Sequence, residues 1–225
     1  VPAAIRWLLN TIFMAVVSML LTCFTAAMAG YALAKKRFIG RSVVFTLIVC
    51  AMALPKQVIL IPLLREMSSL HLYNTIWAVI LPIVGWPFGV FLIKQFGEGI
   101  PGEMMEAAKI DGCNDIRFFF RIVLPLSKAI LAVTALFMAV SHWNAYFNAL
   151  LYINSRSKVP LQLVLRDILV SSKYTASSQD MAGMDPEMQA AIERMVDTMK
   201  YALIVISSAP IMLFYPFAQK YFIKG

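Results

Sequence analysis

Residues 7–34 read WLLNTIFMAVVSMLLTCFTAAMAGYALA and contain no charged side chain. A helix of about 20 apolar residues is long enough to cross the hydrocarbon core of a bilayer, which is about 30 Å thick. An uncharged run of this length is typical of a membrane-spanning helix. It predicts that lipid, rather than water, surrounds much of the fold.

The composition of the whole chain points the same way. Of the 225 residues, 60% are hydrophobic and only 14% are charged, and the mean hydropathy is +0.76. A water-soluble domain usually carries about 25% charged residues to cover its surface. The composition therefore argues against most soluble classes of protein.

The chain is basic, with 20 Lys and Arg against 12 Asp and Glu and a net charge of +8. The first basic cluster lies between two apolar runs and consists of Lys35, Lys36, Arg37 and Arg41. Loops on the cytoplasmic side of a membrane carry an excess of Lys and Arg. This rule explains the cluster better than nucleic-acid binding does.

Four further apolar segments approach the length of a span, which gives five predicted spans: residues 7–34, 43–64, 77–96, 122–153 and 201–217. Prolines inside these segments, such as Pro55, Pro62 and Pro210, predict kinks rather than ends. If the 35–41 loop is cytoplasmic, alternation places residues 98–121 and 220–225 there too and residues 154–200 outside. It also places Val1 outside, so we expect one further span to precede this segment in the native chain.

The loop at 98–121 contains a short helical pattern. Pro101 or Gly102 can open a helix, and Gly112 can supply the left-handed residue that often stops one. Asn114 and Asp115 can cap a following helix. The sequence thus predicts a short helix, a turn and a second helix.

The surface of that short helix suits docking of a partner. Ala107 and Ala108 leave a nearly flat surface that lets a partner backbone come close, while Glu106 offers a charge to a basic side chain. An amphipathic loop helix lying on the membrane is an equally good interpretation from the physics alone.

The spacing around this helix resembles a known motif. Glu106-Ala107-Ala108, three residues, Gly112, nine residues, Ile122, one residue and Leu124-Pro125 are similar to the EAA loop of bacterial ABC importer permeases. In that family the loop forms a coupling helix that seats in a cleft of the cytoplasmic ATPase. The resemblance implies an all-α polytopic bundle of the type I importer kind in the bacterial inner membrane.

The resemblance also implies roles for individual residues. Glu106, Ala107, Ala108 and Gly112, with Asp111 beside them, would contact the ATPase. Ile122, Leu124 and Pro125 would set the re-entry of the chain into the membrane. ATP and Mg would be bound by the separate ATPase dimer, and we expect no cofactor in this chain, which has no GxxxxGK[ST] phosphate loop.

Further motifs resemble the carbohydrate branch of these permeases, namely Asn10-Thr11, residues 30–34 (GYALA) and residues 72–75 (LYNT). Residues 142–150 (HWNAYFNAL), 160–163 (PLQL) and the stretch from 215–217 (YPF) through 224–225 (KG) are similar to its aldouronate and acidic-oligosaccharide subgroup. The small Ala145 fits that subgroup, whereas Pro55-Lys56-Gln57 departs from its usual glycine-rich stretch. The resemblance implies a sugar substrate, a second permease subunit and an extracytoplasmic solute-binding protein.

The fourth span carries a polar patch, and polar groups in lipid usually face the bundle interior or a watery path. Its candidate substrate-path residues are His142, Trp143, Asn144, Tyr146 and Asn148. The rings could stack on sugars and the amides could bind hydroxyls. Hydrogen bonds that merely hold helices together explain the patch slightly better.

The polar stretch at 154–200 predicts a flexible outer loop, which could contact the binding protein. Within it, Ser171, Ser172, Ser177 and Ser178 form a serine-rich run. Asp185-Pro186-Glu187 looks like a helix start, and residues 188–200 should be helical.

Two other functions remain open from the residues. A gradient-driven secondary carrier of a small polar solute generally needs an ionisable residue deep in the membrane, and the acidic residues here lie in loops or near span ends. A membrane enzyme with His142 as base lacks a nucleophile or acidic partner in the same span. No metal site is expected, because the histidines are isolated and the cysteines form no ligand pattern.

Overall fold

A computed structural model describes residues 3–177 and 185–223, and every regular element in them is helical. The predicted all-α fold is confirmed. The α-helices are α1 (Ala3–Lys35), α2 (Arg41–Met52), α3 (Leu60–Ser69), α4 (Trp77–Val84), α5 (Pro87–Glu98), α6 (Gly102–Ile110), α7 (Asp115–Phe118), α8 (Leu124–Leu126), α9 (Lys128–Trp143), α10 (Phe147–Tyr152), α11 (Leu161–Ser177) and α12 (Pro186–Ile223). A 3₁₀ turn at Lys56–Ile59 precedes α3, and a π-helix at Phe119–Val123 joins α7 to α8.

The described chain contains three stretches that are each long and apolar enough to cross a membrane: Ala3–Lys35, Trp77–Glu98 and Glu187–Leu213. Two more pairs qualify across a bend, namely Arg41–Met52 with Gln57–Ser69, bent by 99°, and Asp115–Leu126 with Lys128–Trp143, bent by 76°. If each bent pair is one span, these residues hold up to five spans. This agrees with the predicted number.

The bends correct the expectation of two continuous spans at 43–64 and 122–153. Pro55 lies in the first break with an extended backbone, ψ 127°, and it has no N–H with which to continue α2. The second break follows Pro125, at Ser127, whose ψ of 7° leaves the helical region. Pro55 therefore ends a helix rather than kinking it, whereas Pro62 and Pro210 lie inside α3 and α12 as expected.

Large apolar side chains cover the outside of the bundle. Leu47, Ile61 and Leu213 are 64%, 80% and 73% exposed. Apolar surface on this scale is unfavourable in water but is the normal boundary of a protein in lipid.

The long helix α1 is the centre of the bundle and packs against α4, α5, α9 and α11. Its inward face carries small or hydroxyl residues, including Thr22, Ala26 and Gly30, which are all buried. The hydroxyl of Thr25 donates to the carbonyl of Val84 at 3.1 Å. That bond satisfies a carbonyl left free where α4 ends inside the bundle.

The contact between α1 and α5 depends on two glycines. A Cβ atom on Gly30 would lie 2.8 Å from Cγ2 of Ile93 and 3.0 Å from the backbone nitrogen of Lys94. A Cβ atom on Gly97 would lie 2.9 Å from Cβ of Ala34. Small residues let membrane helices approach closely and gain dispersion energy along the contact. The two helices consequently interlock over their last turns, next to the start of α6.

One end of the bundle, which we call the basic end, is formed by residues 35–41, 98–102 and 113–117. Lys35 donates to the carbonyl of Ile100, and Lys36 forms an ion pair with Asp115. The loops at 35–41 and 98–121 therefore lie together, the relation expected of two loops on the same side of a membrane.

The other end, which we call the asparagine end, is formed by residues 7–11, 71–75 and 152–161. Asn74 has a positive φ of 59°, and its Oδ1 accepts from the backbone N–H groups of Asn154 and Ser155 at 3.1 and 3.0 Å. Its backbone N–H donates to the carbonyl of Tyr152 at 2.8 Å. These bonds join the loop before α4 to the segment after α10.

The expected flexible loop at 154–200 is wrong for much of its length, because residues 161–177 form α11. Leu161, Val164 and Leu165 are buried, with Ile168 packed beside them, and this is the i, i+3, i+4, i+7 spacing of a helix. The predicted helix start is confirmed, since α12 begins at Pro186. The serine run reaches the described chain only up to Ser177, and residues 178–184 and 224–225 lie outside the described residues.

We expect Gly30→Ala to destabilise the protein by about 1–3 kcal/mol, the usual cost of an overpacked core. The added methyl would overlap Ile93 and the backbone of Lys94, so that α1 and α5 must separate. Thermal unfolding of the purified protein in detergent measures the loss as a lower melting temperature. Gly85→Ala is the matched control, because a Cβ there meets no atom within 4 Å, and equal melting temperatures would contradict the interlocked contact.

Candidate functional site

The short helix α6 is stopped by a glycine-based cap. Gly112 has a φ of 73°. The N–H of Gly112 donates to the carbonyl of Lys109 at 3.0 Å, and the N–H of Cys113 donates to the carbonyl of Ala108 at 2.8 Å. This pair of bonds is the Schellman motif that closes many helices. The predicted start at Gly102 and stop at Gly112 are confirmed.

The turn after α6 is also capped as predicted. The side chain of Asn114 accepts from the backbone N–H of Arg117 at 2.8 Å, which satisfies one of the free N–H groups at the start of α7. Cys113 packs with Ala108 on the buried cluster at the basic end. The elbow between α6 and α7 is therefore fixed by backbone bonds and by packing.

The outward face of α6 carries most of the predicted contact residues. Glu106, Ala107, Asp111 and Gly112 are exposed. Sequence reasoning missed Ile110, which is 87% exposed between Lys109 and Asp111. An exposed apolar residue flanked by charges is the signal that could have identified it.

Ala108 differs from the expectation. It is buried, with 9% of its surface exposed, and packs in one cluster with Ile100, Phe118 and Phe119. Its small side chain seats α6 on the bundle, because a residue on this face of the helix cannot reach a partner. The expected contact of Ala108 with a partner is thus replaced by a packing role.

The re-entry segment is a π-helix. The N–H of Leu124 donates to the carbonyl of Phe119, five residues back. Ile122 and Leu124 pack against the same buried cluster as Ala108, whereas Pro125 is exposed. Widened turns of this kind are rare and are frequent at functional sites. The 76° bend lies directly beyond this widened turn.

The five candidate substrate-path residues are divided between buried and exposed positions. His142 and Trp143 are buried, and the indole Nε1 of Trp143 donates to the carbonyl of Ser207 in α12 at 2.9 Å. Asn144 is exposed and donates to the carbonyl of Val140 in its own helix at 3.0 Å.

The remaining two lie just beyond the end of α9. Tyr146 is exposed, and the guanidinium carbon of Arg166 lies 5.8 Å from the centre of its ring. Asn148 is half-buried in α10. His142 and Trp143 are therefore part of the helix packing, whereas Asn144 and Tyr146 face away from it.

The structure gives a role to Asn10 and Thr11, which the sequence singled out only by resemblance, and to the neighbouring Trp7. Trp7 Nε1 donates to the carbonyl of Arg156 at 3.1 Å, and Asn10 Nδ2 donates to the carbonyls of Ser157 and Val159 at 2.9 and 3.1 Å. The Thr11 hydroxyl accepts from the N–H of Leu161 at 2.8 Å. The start of α1 thus holds the segment that leads into α11.

The described part of the chain, residues 3–177 and 185–223, contains no group of three His, Cys, Asp or Glu side chains that could hold a metal ion.

Comparison with known proteins identifies the family of this chain. Residues 23–225 match the family described as the binding-protein-dependent transport system inner membrane component. The chain belongs to this family. It is an integral inner-membrane permease component of an ABC transport system, and the family is a transport component rather than a catalytic enzyme. The predicted family resemblance is confirmed.

Individual relatives align with this chain over nearly its whole length. The protein LplC of Bacillus subtilis is 42% identical over 224 residues, covering 100% of this chain and 73% of that protein. The polygalacturonan/rhamnogalacturonan transport system permease protein YtcP of the same organism is 38% identical, covering 97% of this chain and 73% of that protein.

A solved structure shares the fold. In the crystal structure of a bacterial ABC transporter involved in the import of the acidic polysaccharide alginate, one chain superposes with a TM-score of 0.81 at 28% identity. The match covers 99% of this chain and 76% of that one. Membership of a binding-protein-dependent family implies a solute-binding protein and an ATPase as partners, and it favours the ATP-driven importer over the gradient-driven carrier.

We expect Gly112→Ala to loosen the elbow after α6. An L-residue in the left-handed conformation costs about 1–2 kcal/mol, which should speed tryptic cleavage after Lys109 by about fivefold to thirtyfold if local opening limits cleavage. Gly102→Ala is the control, since Gly102 has no positive φ and a Cβ there meets no atom within 4 Å. Equal cleavage rates in the two variants would show that the cap does not hold the elbow.

Proposed function

We propose that this chain is one of two permease subunits of an ATP-driven importer, and that α6 is its coupling helix. The observation that carries the proposal is the form of α6: a short helix, exposed on one face, seated on the bundle by Ala108 and closed at Gly112 by two backbone bonds. A helix fixed in this way can transmit a push from a partner instead of absorbing it.

The contact with the ATPase is proposed for Glu106, Ala107, Asp111 and Gly112, and we add Ile110 because of its 87% exposure. Glu106 supplies a charge, and the flat Ala107 surface lets the partner backbone approach. Ile110 supplies apolar area to a cleft. Ala108, Ile122 and Leu124 hold α6 against the bundle, and Pro125 marks the re-entry of the chain.

The energy source is proposed to be ATP bound with Mg by a cytoplasmic ATPase dimer. Closure of that dimer would draw the coupling helices of the two permease subunits together. The helix bundle would then change from inward-open to outward-open beneath a docked binding protein. A population shift of this kind requires the ATPase to bind one conformation more tightly than the other.

The proposed cargo is an oligosaccharide that carries uronic acid groups. Its support is the cargo for which two similar proteins are named: one is a permease for polygalacturonan and rhamnogalacturonan, and the other belongs to a transporter involved in the import of the acidic polysaccharide alginate. Another relative, from Halalkalibacterium halodurans, is 32% identical and named for arabinooligosaccharides. A neutral oligosaccharide is therefore the alternative cargo.

Sugar contact is proposed for Asn144, Tyr146 and Asn148 rather than for the whole polar patch. The indole N–H of Trp143, its only polar group, already donates to the carbonyl of Ser207. This buried side chain therefore links α9 to α12. His142 is buried beside it. The amides and the exposed phenol beyond them retain the groups that bind sugar hydroxyls.

The cargo can be tested with the complete complex in proteoliposomes together with its binding protein. We expect trigalacturonate to stimulate ATP hydrolysis at least about fivefold more than maltotriose at the same concentration, because an importer that recognises carboxylate groups leaves its own polar groups unpaired when a neutral sugar binds. Stronger stimulation by arabinotriose than by trigalacturonate would assign the neutral alternative.

The coupling role can be tested with Glu106→Lys, which reverses the docking charge. We expect sugar-stimulated ATP hydrolysis to fall by about tenfold or more, as like charges at an interface cost several kcal/mol. Glu103→Lys makes the same charge change in the first turn of the same helix and serves as the control. Normal coupled hydrolysis in the Glu106 variant would remove the role given to this residue.

A further inference from the structure

Basic side chains from one short segment hold both ends of the coupling helix. Lys35 Nζ donates to the carbonyl of Ile100, two residues before α6 begins. Lys36 forms an ion pair with Asp115, the first residue after the turn that ends α6. The end of α1 is thus linked to the chain on either side of α6.

A third contact extends this link to α5. Arg41 at the start of α2 lies 3.7 Å from Glu98, the last residue of α5, and Glu98 also pairs with Lys94 at 2.8 Å. The ammonium of Lys94 lies 4.2 Å from the ring centre of Phe45 in α2. Helices α2 and α5 are therefore joined at the basic end of the bundle.

The pair of Lys36 and Asp115 lies partly in water, with 28% and 54% of the two side chains exposed. Ion pairs at this exposure add little to overall stability. A gain in stability therefore does not account for this ion pair. Its better explanation is that it holds the chain next to α6 in position.

Lys36 also lies over a buried aromatic side chain at the basic end. Its ammonium lies 5.7 Å from the ring centre of Tyr31, and that ring lies 5.4 Å from Phe119 in the π-helix. Tyr31 and Phe119 are both buried in the cluster that seats Ala108. The ion pair thus joins the end of α1 to the start of α7, beside the buried cluster that contains Phe119.

The need for such a link follows from the ends of α6. The helix begins at Gly102 and is followed by Gly112, and glycine restricts the backbone less than any other residue. Packing of Ala108 and the backbone bonds at Gly112 already fix α6 in part. Ties from Lys35 and Lys36 on both sides further restrict its movement when a partner pushes it.

At its other end α1 holds the segment 156–161 through Trp7, Asn10 and Thr11. At 1.5 Å per residue, the 33 residues of α1 extend over about 50 Å. One continuous helix consequently links the coupling helix to the asparagine end of the bundle.

We propose that Lys36, assisted by Lys35, is a positioning residue that fixes the coupling helix to α1, so that a displacement of α6 is carried along α1 to residues 156–161. The inference rests on the proposed coupling function of α6. It gives the 35–41 loop a part in coupling, in addition to the contact proposed between α6 and the ATPase.

The first experiment uses charge reversal in the complete complex, reconstituted in proteoliposomes with its binding protein. We expect Lys36→Asp and Asp115→Lys each to lower the amount of sugar transported per ATP hydrolysed by about threefold to tenfold, the range for residues that modulate coupling between sites. The exchanged pair, Lys36→Asp with Asp115→Lys, should return to within about twofold of the wild type.

Arg37→Asp is the matched control, because it makes the same charge change one residue away and Arg37 is exposed. It should keep the wild-type ratio. An exchanged pair that stays as low as the single variants, or an equal loss in the Arg37 variant, would overturn the proposal. Absence of sugar-stimulated hydrolysis in the wild-type complex would instead overturn the coupling function itself.

A second experiment does not depend on charge reversal being tolerated. Cys23, Cys50 and Cys113 are first replaced by alanine, and Lys36→Cys and Asp115→Cys are then introduced together. We expect the ratio of transport to hydrolysis to fall in this variant and to recover when a short bifunctional thiol reagent bridges the two cysteines. A bridge that blocks transport would show that the two positions separate during the cycle, which contradicts a fixed link.

Discussion

The close contact between Gly30 of α1 and Ile93 of α5 is the constraint on which the rest of the structure depends. In lipid, helices gain little from burying apolar surface against each other, so their association depends on packing and on hydrogen bonds. A methyl group on Gly30 would come within 2.8 Å of Ile93. Gly97 allows the same approach to Ala34, one turn from the point where α5 leads into α6. The position of α6 is thus set by how closely two membrane helices can meet.

The same reasoning explains why polar residues hold the two ends of the bundle. Backbone groups that leave a helix near the membrane need partners, because water does not reach them freely. Asn74 supplies such partners to Asn154 and Ser155, and Lys35 supplies one to Ile100. These side chains fix irregular segments that packing alone would leave loose.

Sequence reasoning predicted the features that rest on local physics. Long apolar runs predicted the spans, and glycine chemistry predicted the left-handed stop at Gly112, because both depend on a few neighbouring residues. It did not predict the breaks at Pro55 and Ser127, since tertiary contacts decide whether a proline kinks a membrane helix or ends it. It missed α11 because its many polar residues concealed the apolar spacing of Leu161, Val164 and Leu165.

The candidate site was predictable to a similar extent. The spacing of the motif located α6, but it could not show which alanine faces the bundle, since both rotations of so short a helix fit the sequence. The structure assigns Ala108 to the inside and leaves Ala107 exposed. The partners of Trp7, Asn10 and Asn74 lie about 80 to 150 residues away along the chain, a separation at which one sequence without relatives carries no pairing signal.

Exposed apolar residues at the basic end call for a different explanation from those along the spans. Ile110 and Ile116 are 87% and 70% exposed, and charged side chains flank both of them in sequence. Lipid tails do not explain them, because the neighbouring Lys109, Asp111, Asp115 and Arg117 need water or a charged partner. A protein surface that combines an apolar cleft with charges of its own satisfies both requirements. This is the reason for including Ile110 with Glu106 in the proposed contact.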